Sequence, residues 1–192
     1  MPHKAKTLKV NLGCGSHIEK GKEWLNIDNF YLPEVKNFLK GDAKEIPLES
    51  NSVDYLICDQ MLEHIPMADV PIVLYEIRRV LKKGGRAVII VPDFEDAVKA
   101  WLDAGHNSAF DPAKYKYFSE VVYGNQLHEG EFHKTPMCAG YLFFMLNMVG
   151  LKKHQIIFAP RNGLIPEYEG MRPYSKTAVL RNAQLIADIT KD

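Results

Sequence analysis

Apolar and polar positions along the chain alternate between two rhythms. Short apolar runs that end on glycine or an acid read as strands: 8–12 stops at Gly13-Cys14-Gly15, 24–28 closes on Asp28, and 35–40 leads into Gly41-Asp42. Ser50-Asn51-Ser52 introduces the continuous apolar run 53–59, the pattern of a strand buried on both faces at the centre of a parallel sheet. Over 67–81, Val70, Val73, Leu74, Ile77, Val80 and Leu81 recur at intervals of three and four, which predicts a helix. Lys82-Lys83-Gly84-Gly85 supplies its basic last turn and glycine stop. A strand over 86–91, a helix over 94–104, a helix over 136–150 and two antiparallel strands at 152–159 and 176–181 complete the series. Residues 105–135 have no clear periodicity and are rich in Gly, His, Asn and aromatics, so they read as a functional insertion.

This order predicts one α/β domain over 1–192: an open, doubly wound, mostly parallel sheet with an antiparallel C-terminal strand pair. The step from Leu12 to Trp24 barely reaches the dozen residues that a parallel crossover needs, so the first helix is shortened or missing. Ligands of such sheets lie at the carboxyl ends of the strands, where Gly13, Asp28, Asp42 and Asp59 all fall.

Composition narrows the class. With 46% hydrophobic and 25% charged residues the chain is neither disordered nor fibrous, and 24 basic against 24 acidic residues argues against a protein that coats nucleic acid or an anionic membrane. Cys14, Cys58 and Cys138 are far apart, without a C-x-x-C pair, which favours a reducing compartment. The N-terminus has no apolar signal region and the longest greasy run, 141–151, is too short to span a bilayer, so a soluble cytoplasmic protein is expected.

The segments V-N-L-G-C-G, L-N-I-D, G-D-A-K-E-I-P-L-E-S-N-S-V-D-Y-L-I-C-D-Q-M-L-E-H-I and E-I-R-R-V-L-K-K-G-G-R-A-V-I-I-V-P-D together resemble a class I S-adenosylmethionine-dependent methyltransferase of the small-molecule type 11 group. The resemblance covers roughly residues 8–93. The brief step from G-C-G to L-N-I-D is also loosely similar to small methyltransferases found beside polysaccharide biosynthesis enzymes.

The resemblance implies S-adenosyl-L-methionine as cofactor. Asn11, Gly13, Cys14 and Gly15 would form its methionine and ribose turn, Asp28 would accept the ribose hydroxyls, and Asp42 with the backbone of Ala43 would read the adenine edge. Asp59, Gln60 and His64 would close over the methionine end. Each residue also has a plainer reading, as a strand-ending glycine, a turn acid or a small buried cysteine, and the joint spacing decides for function. Ser16-His17-Ile18 stands where many relatives have a third glycine.

The acceptor is expected to be a small molecule or glycan-linked group, held by an acceptor-side lid over 105–135 whose alternative reading is a solvated loop. His133 is the first proton-acceptor candidate, His128 the second and His64 the in-pocket alternative. His128-Glu129-Gly130-Glu131-Phe132-His133 has metal-ligand types, but no helix aligns its two histidines and no third ligand is near in sequence, so no metal is expected. Two other functions share parts of this pattern: a non-catalytic S-adenosylmethionine-binding regulatory module and a NAD-dependent oxidoreductase. The latter is disfavoured because G-C-G-S-H-I lacks G-x-G-x-x-G. Neutral charge and the lack of an N/D-P-P-Y-type motif disfavour nucleic acid as acceptor, and the oligomeric state is open.

Overall fold

The computed structural model describes residues 7–30, 34–105, 110–159, 168–171 and 183–192. Seven strands form one sheet in the order β3-β2-β1-β4-β5-β7-β6. They are β1 (Lys9–Leu12), β2 (Trp24–Asp28), β3 (Phe38–Lys40), β4 (Val53–Asp59), β5 (Leu81–Pro92), β6 (His154–Ala159) and β7 (Gln184–Thr190). The first five run parallel, and β7 lies antiparallel to both β5 and β6. Strand order reverses between β1 and β4, so their carboxyl ends flank the crevice at which such sheets bind ligands.

The apolar alternation along the central strands splits the core in two. Ala87, Ile89 and Val91 face helices α1 (Val70–Val80) and α4 (Ala139–Met148), packing with Val73, Leu74, Ile77, Leu142 and Leu146. Val88 and Ile90 face the other way, with Trp24, Ile57 and Ile186 beneath Tyr168 and Met171. Helices α2 (Phe94–Leu102) and α3 (Pro112–Tyr123) pack on each other through Ala97, Ala100, Tyr117 and Val121.

The crossover from β1 to β2 contains no helix: residues 13–23 are irregular, and amide side chains satisfy their backbone. Asn11 Nδ2 donates to the His17 carbonyl, Glu19 N–H donates to Asn26 Oδ1, and the Asn26 and Asn37 side chains both donate to the Glu19 carbonyl. Three asparagines thus meet the hydrogen-bond demand that a helix would have met internally.

Three boundaries differ from the sequence reading. α1 stops at Val80 because Leu81 turns extended, at ψ 137°, and Lys82–Gly85 open β5 rather than close the helix. The insertion contains α3, capped by Asp111, whose carboxylate accepts from Ala113 and Lys114 N–H. The last strand is Gln184–Thr190, and the segment 176–181 lies outside the described residues.

Candidate functional site

A cavity of about 630 Å³ opens at the carboxyl ends of β1, β2, β3 and β4, within the size range of cofactor pockets. Its floor begins with Gly13, at φ +69°, where an added Cβ would stand 2.2 Å from Met61 Cγ. Only glycine lets the chain turn there without displacing the Met61 wall. Gly13 and Cys14 N–H both donate to the Ile27 carbonyl, which locks the turn onto β2. Asp28 ends β2 with Oδ2 accepting from Gly15 N–H and Oδ1 from Phe30 N–H, each at 2.8 Å. These two backbone bonds fix the plane of the carboxylate, which lines the cavity.

Across the cavity, Asp42 accepts from Lys44 N–H at 2.8 Å, a local turn that presents the carboxylate beside Ala43. A clamp on α1 holds this segment. Glu76 accepts from Ile46 N–H and from both Nε and Nη2 of Arg79, while Arg79 donates to the Ile46 and Leu48 carbonyls. The Arg79 hydrogen bonds hold the Glu76 carboxyl below its ordinary range, against the opposing effect of burial. A depressed folded-state pKa stabilises the protein above the unfolded value and is lost as pH falls through the folded one. Acid unfolding monitored by circular dichroism should therefore show a shallower loss of midpoint temperature below about pH 4.3 in Glu76→Gln than in the parent. Arg79→Ala should lose about 3 kcal/mol at neutral pH by stranding a buried carboxylate, and an unchanged midpoint would remove the clamp from this account.

After β4 the chain turns sharply. Gln60 holds φ +55°, a left-handed conformation uncommon for a side-chain-bearing residue, supported by its N–H on the Ile90 carbonyl and its side-chain amide on Gln184 Oε1. The 3₁₀ turn Leu62–His64 follows, and the insertion is fastened to it: Lys134 and Thr135 N–H donate to the Glu63 carbonyl, and Thr135 Oγ1 donates to the Ile65 carbonyl. At the other end Gly124, φ +76°, ends α3 so close to the Glu131 carbonyl that an added Cβ would lie 1.8 Å from its oxygen.

Gly13, Gly15, Asp28, Asp42, Ala43, Gln60, His64 and His128 all line the cavity. Asn11, Cys14, Asp59 and His133 do not. Asn11 belongs to the asparagine network, and Cys14 and Asp59 are buried. His133 stands behind His64, ring centroids 4.8 Å apart and nearly perpendicular. Its Nδ1 bonds the Val121 carbonyl at 2.7 Å, and burial pushes its pKa down. His64 Nδ1 likewise faces the Phe132 carbonyl at 3.1 Å. A carbonyl only accepts, so in both rings Nδ1 carries a proton, and in the neutral ring the lone pair is on Nε2. His128 is engaged within its own turn: Nδ1 accepts from Gly130 N–H and Nε2 lies 3.3 Å from Glu131. Phe30, Met61, Pro66 and Lys44 with its partner Asp69 also line it; Lys44 and Met61 fall inside the quoted segments without a role being legible there, and Phe30, Pro66 and Asp69 become visible only with the fold.

Comparison with known proteins bears on the same residues. Residues 11–89 match the model of a methyltransferase domain family. An uncharacterised 37.1 kDa protein of transposon TN4556 from Streptomyces fradiae is 44% identical over 79 residues, 41% of this chain and 22% of that protein. An uncharacterised protein of Methanocaldococcus jannaschii is 24% identical over 135 residues, 63% of this chain and 58% of its own. The chain thus spans between about a fifth and three fifths of these curated relatives. An S-adenosylmethionine-dependent methyltransferase from Archaeoglobus fulgidus has the same fold, with a TM-score of 0.60 at 17% identity, over 98% of this chain and 87% of that one. Among the described residues no helix is long and apolar enough to cross a membrane.

Proposed function

From the premise that residues 11–89 form a methyltransferase domain on the class I fold, we propose that the chain transfers a methyl group from S-adenosylmethionine to an oxygen or nitrogen of a small-molecule or glycan-linked acceptor. The observation that carries this reading is the convergence of the Gly13 turn, Asp28 and Asp42 on one cavity that His64 also lines.

The residues present fit the cofactor. Gly13 holds the tight turn at the cavity floor, where a Cβ would strike Met61, the Asp28 carboxylate lining the cavity would accept from ribose hydroxyls, and Asp42 with the Ala43 N–H would offer an acceptor and a donor to the adenine edge. The bound cofactor supplies an electrophilic methyl group on a sulfonium. The protein's work is then to hold the acceptor in line behind that methyl and to accommodate the proton that a hydroxyl acceptor loses. His64 is the histidine at this wall whose Nε2 lone pair is set by its Nδ1 bond, so the catalytic assignment moves to it, with His133 in support and His128 pinning its own loop.

A nicotinamide cofactor is disfavoured because the described segment after β1 holds no helix N-terminus for a pyrophosphate. A purely regulatory binding module is separated by product formation. Labelled S-adenosylmethionine incubated with fractionated metabolites and glycans should give a labelled product, and none from any fraction would leave only the binding role.

Asp42→Ala should weaken cofactor binding in calorimetry while turnover at saturating cofactor stays close to the parent, because the adenine contact is remote from the methyl. A large fall in saturated turnover at unchanged affinity would contradict the assignment.

A further inference from the structure

Glu63 is 2% exposed, and it stands directly before the histidine that reaches the cavity. Its Oε1 is 4.0 Å from His64 Nε2. His133 joins the pair from the insertion, so that one ligand-type atom from each of the three residues lies within 4.8 Å of the other two. The backbone, not chance packing of exposed acids, builds this cluster. Lys134 and Thr135 N–H bind the Glu63 carbonyl and bring His133 alongside. The Phe132 and Val121 carbonyls hold the Nδ1–H of His64 and of His133.

We propose that Glu63, His64 and His133 form a binding site for a divalent transition-metal ion of the zinc class, at the acceptor wall of the cavity. Two imidazoles and one carboxylate are a donor set that zinc takes when a further position is left for water or substrate. A histidine that binds metal through one ring nitrogen commonly donates its other N–H to a backbone carbonyl, which fixes tautomer and ring plane, and both histidines do so here. Bonds of about 2.0–2.1 Å put tetrahedral donors about 3.4 Å apart, so the cluster has to contract by about 1.4 Å at its widest. Rotation of the Glu63 side chain towards the two rings, whose planes the Phe132 and Val121 carbonyls hold, serves that contraction. The site supersedes the expectation of no metal because its third ligand comes from a residue 69 positions away from His64 in the chain.

Of the three ligands only His64 lines the cavity, so an ion held by them sits at the cavity's edge, and a position left open on the His64 side would draw in and polarise a hydroxyl oxygen. That role rests on the methyl-transfer reading; the binding of the ion does not.

The full chain, stripped by chelator and dialysed, should bind Zn²⁺ in calorimetry with a stoichiometry of one. Co²⁺ in its place should give the visible absorption of a low-coordinate site. Glu63→Gln, His64→Ala and His133→Ala should each weaken Zn²⁺ binding by about 100-fold or more, a loss beyond that of a supporting partner. His128→Ala should leave it unchanged. Circular dichroism identifies any variant that fails to fold, and the near-isosteric Glu63→Gln keeps the test decisive if His133→Ala does. No binding by the parent, or binding lost in His128→Ala and kept in Glu63→Gln, overturns the site. S-adenosylmethionine binding measured on the stripped chain is scored separately, so failure of the metal site and failure of the methyltransferase reading stay distinct.

Discussion

His64→Ala is expected to cut turnover by about 10²–10⁴-fold while S-adenosylmethionine binds as before. The ring lines the same cavity as Gly13, Asp28 and Asp42, and the Phe132 carbonyl on its Nδ1 orients its Nε2. Both roles open to that nitrogen, taking the acceptor's proton and holding the ion proposed above, disappear with the ring. His133→Ala should fall between the parent and His64→Ala, since it removes the ring that packs edge-on against His64. His128→Ala should cost less than either, because its nitrogens serve Gly130 and Glu131. Steady-state kinetics with the identified acceptor and calorimetry with the cofactor decide the ranking. Turnover that survives in His64→Ala and collapses in His128→Ala would put the acceptor on the exposed face of the loop.

The second large effect is expected at Asp28. Replacing it with alanine should weaken S-adenosylmethionine binding by about 2–3 kcal/mol, from the loss of two charge-assisted hydrogen bonds to the ribose. The same carboxylate ties Gly15 and Phe30 N–H, so the variant also loosens the turn that lines the cavity. Asp28→Asn separates the two contributions. It keeps Oδ1 for one backbone bond but points an amide at a second backbone donor, so it should recover little affinity. NAD should bind neither variant nor parent, and tight NAD binding by the parent with no S-adenosylmethionine binding would change the enzyme class and keep the fold.

The strands whose ends line the cavity are legible because their signal is local. Gly13, Asp28, Asp42 and Gln60 each follow a short apolar run, and the sheet brings the ends of those runs together. Helix α3 was hidden because only Tyr117 and Val121 of its residues are buried, a single repeat of four without the sustained stripe that marks an amphipathic helix. Strand β7, which lies between β5 and β6, is hard to read for a related reason. Leu185, Ile186, Ala187 and Ile189 are all fully buried, so β7 lacks the alternation that distinguishes a strand from a buried helix. Asn11 shows the opposite failure: its position beside the glycine turn suggested the cofactor, whereas the shortened crossover needs its amide for the His17 carbonyl. The meeting of Glu63 and His64 with His133 depends on how α2 and α3 return the chain to the 3₁₀ turn, and no spacing rule encodes it.

The bonds from Lys134 and Thr135 to the Glu63 carbonyl divide the insertion into two parts with different freedom to vary. Residues 132–135 are tied to the turn after the central strand, so changes there disturb the catalytic wall itself. The stretch 125–131 touches the cavity through His128, Gly130 and Glu131 and otherwise projects outward, with Leu127 81% exposed. On the proposed methyl-transfer reading, that stretch is the cassette in which acceptor choice would be altered. Grafting it between homologous chains, with Gly124 and residues 132–135 retained as fixed joints, would transplant specificity without rebuilding the cofactor pocket.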